Sequence, residues 1–129
     1  MDDKNPMIDK MQKATTELFV LSALMTEDIY PYRLTKDIKA MTFGLIEYSE
    51  AGLYPVISRL LNAQMISSYT VALENGRNRT YYHIEDKGRA HWRLLKNGYD
   101  QFIRISYLIT EKTAIKNRPF RNIPEGSLD

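Results

Sequence analysis

The chain has 129 residues, room for one compact domain with a modest extension. With 43% hydrophobic and 26% charged residues it has the composition of a globular protein with a real core, not of a disordered or collagen-like chain. There is no cysteine, which removes disulfides, thiolate metal sites, iron–sulfur clusters and cysteine nucleophiles; the net charge of +2 does not by itself announce a nucleic-acid partner. Acidic residues near the N-terminus and the lack of an apolar run of about 20 residues give no secretory signal and no membrane span, and the expected location is the cytoplasm.

In chain order, Met7, Met11, Ala14, Leu18, Leu21 and Met25 alternate steps of four and three, so one face of a first helix, or of two consecutive ones, is expected to be apolar throughout. Asn5 followed by Pro6 supplies a cap and a first helical residue that forfeits no hydrogen bond. Beyond Tyr30-Pro31-Tyr32, Leu34, Ile38 and Met41 mark a short second helix with Lys36 and Lys39 on its wet side. Ser49 then precedes a third helix in which Leu53, Val56, Ile57, Leu60 and Leu61 share a face. The opposite face carries Ala51, Pro55, Ser58 and Asn62, flanked by Tyr54 and Arg59, a small and polar surface able to enter a groove.

The period then changes to two. Tyr69, Val71 and Leu73, and after a turn Thr80, Tyr82 and Ile84, alternate with their neighbours and predict two strands joined through Asn75-Gly76-Arg77-Asn78. From Asp86 to about Thr113 a helical pattern returns, with Trp92, Leu95, Tyr99, Phe102, Ser106 and Ile109 spaced like the a and d positions of a heptad. So long a helix with so aromatic a seam predicts a homodimer. The remaining residues hold no period and predict a flexible tail over 114–129.

The expected fold is therefore mainly α with a two-stranded β-hairpin: an N-terminal helix and winged helix-turn-helix over 1–84, and a C-terminal dimerisation helix over 85–113. A helix fits the major groove, while a hairpin tip reaches the adjacent backbone or minor groove. Local charge agrees: between Asn75 and Lys96 six cations (Arg77, Arg79, Lys87, Arg89, Arg93, Lys96) face two carboxylates (Glu85, Asp86), a surplus of +4.

Two motifs in this order resemble those of PadR-type transcriptional regulators. Ala51-Gly52-Leu53-Tyr54-Pro55 with Arg59-Leu60 is similar to the family's TLYP and RL pattern, and Arg79-Thr80-Tyr81-Tyr82-His83-Ile84 running into Gly88 is similar to RKYYxLTxxG. The likeness covers about residues 11–109, and the single long final helix resembles the short subfamily that includes the lactococcal multidrug regulator. It implies a homodimeric repressor on a palindromic operator in double-stranded DNA, the long helix of each subunit packing on the N-terminal helix of the other. By position it puts Ser49, Glu50, Ala51, Tyr54 and Ser58 at the DNA face and Arg77 and Arg79 on the wing. Tyr32, Arg33 and Lys36 become candidates for phosphate contacts, since the second helix crosses the backbone in helix-turn-helix docking. It further implies a planar aromatic effector between the long helices, with Tyr99 in the stacking position and Trp92, Leu95 and Phe102 along the same stripe; the stripe serves equally well as a plain dimer seam. The chain departs from the family's pattern at Pro31, where glycine is common, and at Gln64-Met65-Ile66, where the usual left-handed glycine after the third helix is missing.

No cofactor is implied. His83 and His91 have no ligand set at metal spacing, and no nucleophile–base pair, phosphate loop or dinucleotide motif suggests an enzyme. The alternative function is a winged-helix module for protein contacts or small-molecule sequestration without a specific operator.

Overall fold

A computed structural model describes residues 5–111. The elements are α1 (Pro6–Leu24), α2 (Pro31–Met41), α3 (Glu50–Asn62), β1 (Ile66–Ala72), β2 (Asn78–Ile84) and α4 (Asp86–Thr110), the four helices and hairpin expected of a winged helix-turn-helix followed by a long helix. The chain divides into two compact units, one ending at Arg93 and one beginning at Leu94, so that α4 contributes to both. The expected tail over 114–129 lies outside the described residues.

Each helix of the first unit starts on local chemistry visible in the sequence. The Asn5 side chain accepts a hydrogen bond from the Met7 amide at 2.8 Å, and Pro6 opens α1. Ser49 Oγ caps α3 by accepting from the Gly52 amide at 3.0 Å. Pro31 opens α2 at a position where proline is tolerated. Inside α3, Pro55 lacks the N–H that would bond to the Ala51 carbonyl, and the site is exposed, so water can satisfy that oxygen.

The core joins Leu18, Leu21 and Leu24 of α1, Leu34 and Ile38 of α2, Leu53, Ile57 and Leu60 of α3, and Ile66, Tyr82 and Ile84 of the hairpin. The expected apolar stripe of α1 is only half buried. Its N-terminal part turns Gln12, Thr15 and Thr16 inward, while Met7 and Ala14 are exposed. The inward polar groups are satisfied: Gln12 Nε2 donates to the Glu47 carbonyl at 2.7 Å, the Tyr48 hydroxyl donates to the Gln12 carbonyl at 2.9 Å, and Thr16 Oγ1 donates to the same carbonyl. Here α1 packs on the polar loop before α3 rather than on apolar side chains. Met41, expected on the inner face of α2, is 74% exposed because the helix ends there and its last turn overhangs the core.

The strands pair antiparallel in a register that sets Tyr69 opposite Tyr81 and Ile66 opposite Ile84. Ile66, Tyr82 and Ile84 are buried, whereas Tyr69 and Val71 lie on the outer face with Arg79, Tyr81 and His83. The turn is longer than a two-residue connection: the Gly76 amide bonds to the Leu73 carbonyl, the Leu73 amide to the Arg77 carbonyl, and Gly76 alone takes positive φ (+84°). The link between α1 and α2 joins this sheet. The Ile29 and Tyr82 amides and carbonyls exchange two hydrogen bonds (3.2 and 2.8 Å), an isolated antiparallel bridge at the edge of the two-stranded sheet.

α4 begins under a tight constraint. A Cβ at Gly88 would stand 2.1 Å from the Met65 carbonyl oxygen, so the helix can lie this close to the end of α3 only with glycine there. Its first turns are tied to α1 by Trp92 Nε1, which donates to Ser22 Oγ at 2.8 Å, and by His91 Nε2, 2.8 Å from Glu17 Oε2. In the second unit Lys96 pairs with Asp100 one turn on, and Phe102, Ile103, Ile105, Tyr107, Leu108 and Ile109 are exposed.

Candidate nucleic-acid interface

The start of α2, the exposed side of α3 and the hairpin tip converge on one open cleft. It is lined by Tyr30, Pro31 and Tyr32 from the first, Glu50 and Tyr54 from the second, and Leu73, Asn75, Arg77, Asn78, Arg79, Thr80 and Tyr82 from the third. Of the residues expected at the DNA face, Tyr32, Glu50, Tyr54, Arg77 and Arg79 meet here. Ala51 and Ser58 are exposed on the same helix beyond the cleft wall, and Ser49 serves as the cap of α3.

The cations of this region differ in how they are held. Arg33, expected among the phosphate contacts, points to the other side of α2, where its guanidinium pairs with Glu27 (3.3 Å) and Asp37 (3.4 Å) beside an apolar groove between α1 and α2. Lys36 instead lies over the Tyr32 ring, 5.4 Å from its centroid, and Arg79 lies 4.0 Å from the centroid of Tyr30. Among the described residues Lys36, Arg77 and Arg79 make no ion pair with a carboxylate, so their charge is available to an incoming anion. Glu50 is the acidic group in the cleft and sits in the first turn of α3, where the helix dipole favours it.

The outer face of the wing is built from aromatic and titratable groups. Tyr69 and Tyr81 stack with centroids 5.6 Å apart, and Tyr30 meets Tyr81 edge-on at 5.2 Å. The Tyr69 hydroxyl donates to one oxygen of Asp28 at 2.7 Å, and His83 Nδ1 lies 2.7 Å from the other. These two contacts, Tyr69's first, hold the Asp28 carboxyl below its usual pKa, while the carboxylate raises that of the Tyr69 hydroxyl. Burial raises the Tyr82 hydroxyl's.

Tyr30, Asn75, Asn78 and Thr80 were not among the expected site residues. Tyr30 stands directly before the proline that opens α2, and nothing in its local sequence says that it meets a strand some 50 residues later. The histidines find carboxylate partners, Asp28 and Glu17, at similarly long range. Among the described residues no group of three metal-ligating side chains forms, and no helix is long and apolar enough to cross a membrane.

A short helix with an exposed polar face beside a basic hairpin, with the intervening cleft open to solvent, is the arrangement of a winged helix-turn-helix protein. The profile of the transcriptional regulator PadR-like family matches residues 20–94, more than half of the chain, and the chain belongs to that family. It is a regulator of transcription, not an enzyme, and DNA is the partner that membership supports. Among solved structures, a PadR-like transcriptional regulator from Bacillus cereus is similar at 26% identity and a TM-score of 0.67, covering 80% of this chain and 99% of that one. A transcriptional regulator from Clostridium thermocellum shares the fold at 24% identity and a TM-score of 0.72, covering 79% and 96%. A protein from Streptococcus mutans matches at 28% identity and 0.66, covering 78% and 90%. No curated protein sequence gives a significant match.

Proposed function

We propose that the protein is a homodimeric repressor that sets α3 in the major groove of a palindromic operator and its hairpin wing against the flanking backbone. The observation that carries this reading is the cleft itself: Tyr54 and Glu50 of α3 share it with Arg77 and Arg79, which among the described residues pair with no carboxylate. Lys36, held over Tyr32 on the same end of α2, adds a third phosphate contact. Each phosphate neutralised by a cation releases counterions, so each contact appears as a slope in the salt dependence of binding. Arg77→Ala combined with Arg79→Ala should weaken binding to the gene's own upstream DNA and to random duplex alike, and lower the salt slope by about 2. Fluorescence anisotropy at several salt concentrations measures both; unchanged affinity and slope would remove the wing from the interface.

Dimerisation is supported by the second unit. The last turns of α4 expose apolar side chains well beyond the expected a and d seam, with Ile103, Tyr107 and Leu108 lying off it. A helix apolar nearly all round needs cover on more than one side. The exposed Met7 and Ala14 of α1 give a second uncovered stripe, in keeping with a long helix from another copy lying on α1.

The effector we assign is a planar aromatic compound stacked on Tyr99 and Phe102, beside Leu95, at the dimer seam. Trp92 is the chain's only tryptophan and stands one heptad before Tyr99 in the same helix, so its fluorescence serves as the reporter. Flat aromatic dyes should quench it in the native protein and much less in Tyr99→Ala; equal quenching in both would reject stacking on Tyr99.

A further inference from the structure

The two arginines nearest α2 are held by opposite means. Arg33 is fixed by two carboxylates, which neutralise it. Arg79 is fixed by the face of a tyrosine, which holds a guanidinium without neutralising its charge and leaves its in-plane N–H donors free.

We propose that Tyr30 is a positioning residue for DNA binding: its ring, 4.0 Å from the Arg79 guanidinium, holds that cation in the cleft between wing and recognition helix with its donors presented to a phosphate. The proposal rests on the wing contacting DNA, as inferred above, and adds the group that orients the contact.

The geometry around Tyr30 suits a fixed platform rather than a chance neighbour. Its main chain follows Ile29, which is hydrogen-bonded on both sides to Tyr82 of β2, so the residue is set by sheet geometry. Because side chains alternate along a strand, Asp28 and Tyr30 fall on the outer face of the wing while Ile29 is buried. Asp28 is held there by the Tyr69 hydroxyl and His83, and Tyr30 by the edge of Tyr81, which itself stacks on Tyr69. Arg79 thus rests on the last ring of a chain running Tyr69, Tyr81, Tyr30. On the other side of Tyr30, Pro31 opens α2 and restricts the tyrosine's backbone to extended conformations, as observed (φ −118°, ψ 149°). A flexible arginine at a hairpin tip loses rotamer freedom on meeting a phosphate. One already stacked has lost part of it beforehand, and that difference appears as affinity.

The test is a double-mutant cycle on the full chain, with a fluorescein-labelled 30-base-pair mixed-sequence duplex as probe and anisotropy as readout. Tyr30→Leu keeps an apolar side chain against Tyr81 but removes the ring face; it should weaken binding about two- to fivefold, the range of an exposed cation–π contact. Tyr30→Phe, which keeps the face, should bind like the parent. In an Arg79→Ala background Tyr30→Leu should have no further effect. Arg79→Lys, which keeps a cation able to sit over the ring but loses the planar fork of donors, should weaken binding less than Arg79→Ala. A loss that persists in the Arg79→Ala background, or an equal loss in Tyr30→Phe, overturns the positioning role. If Arg79→Ala itself binds like the parent, the wing reading fails; if it binds weakly while Tyr30→Leu binds normally, only the role of Tyr30 fails. Should Tyr30→Leu not fold by circular dichroism, Tyr30→Met, which also lacks a ring face, takes its place in the same cycle and the same outcomes decide.

Discussion

Two non-glycine residues hold left-handed backbone where helices end. Gln64 (φ +60°) follows α3, with the Gln64 amide bonded to the Leu61 carbonyl and the Met65 amide to that of Leu60; Phe43 (φ +53°) follows α2 with the equivalent bonds to Ala40 and, through Gly44, to Lys39. The missing glycine noted in the sequence therefore changes the residue and not the turn: the helix ends in the same doubly bonded motif, with glutamine strained in glycine's place. Left-handed backbone costs an L-residue roughly 1–2 kcal/mol, against which glycine's greater freedom in the unfolded chain must be set. Gln64→Gly is expected to stabilise the fold by about 0.5–1 kcal/mol, raising Tm by about 2–5 °C in a calorimetric scan. Phe43 differs in one respect: it is 99% exposed, so its ring offsets none of this strain by packing in the chain.

At the scale of elements, the wing is where local reading succeeded in part. Alternation and the Asn-Gly pair located both strands, but the pattern cannot tell which face is inward when both carry large residues. Tyr69, Val71 and Tyr81 on one side rival Tyr82 and Ile84 on the other, and the choice is made by α3 and the α1–α2 link, elements distant in sequence. The same limit hid the cluster of Asp28, Tyr69 and His83. Since the Asp28 carboxyl is held below its ordinary value of 3.8, its contribution to stability is present above that pH and is lost as pH falls through the depressed folded value. Tyr69 has the opposite sign, raised above 10, so its part persists to alkaline pH and is lost as the hydroxyl ionises. Asp28→Asn should therefore lower the urea midpoint at pH 7, with the gap to the parent closing in acid well below pH 4. In the same variant one tyrosine should titrate earlier, towards pH 10, in an ultraviolet difference titration. A constant gap from neutral to strongly acid pH would mean that the carboxylate's charge is not what the cluster uses.

For the whole molecule, fold and family were legible because capping residues, two periodicities and the spaced motifs at Leu53-Tyr54-Pro55 and Tyr81-Tyr82 all lie within short windows. The site was legible to the extent that its residues are adjacent in the chain. Arg77, Arg79, Tyr54 and Glu50 came from their own elements, while the division of the α2 cations into neutralised Arg33 and available Lys36 depends on which side of one helix each occupies. On the proposed dimer, Ile105→Lys with Phe102→Asp removes two large exposed side chains from the C-terminal half of α4 and should shift sedimentation equilibrium toward monomer. Helix content should be lost only where α4 depends on its partner.

The bridge at Ile29 ties the α1–α2 link to β2. Helix α1 passes into the sheet through peptide groups, so a displacement of α1 reaches the wing without passing through any particular side chain. The main-chain hydrogen bonds themselves do not depend on side-chain identity, but they do depend on the length of the link. Deleting one residue between Met25 and Pro31 should shift the bridge by one position and set an acid or a tyrosine where the buried Ile29 now sits. The backbone bridge thus depends on the number of residues in this segment, and the identities of Asp28 and Tyr30 matter to what the outer face of the wing carries.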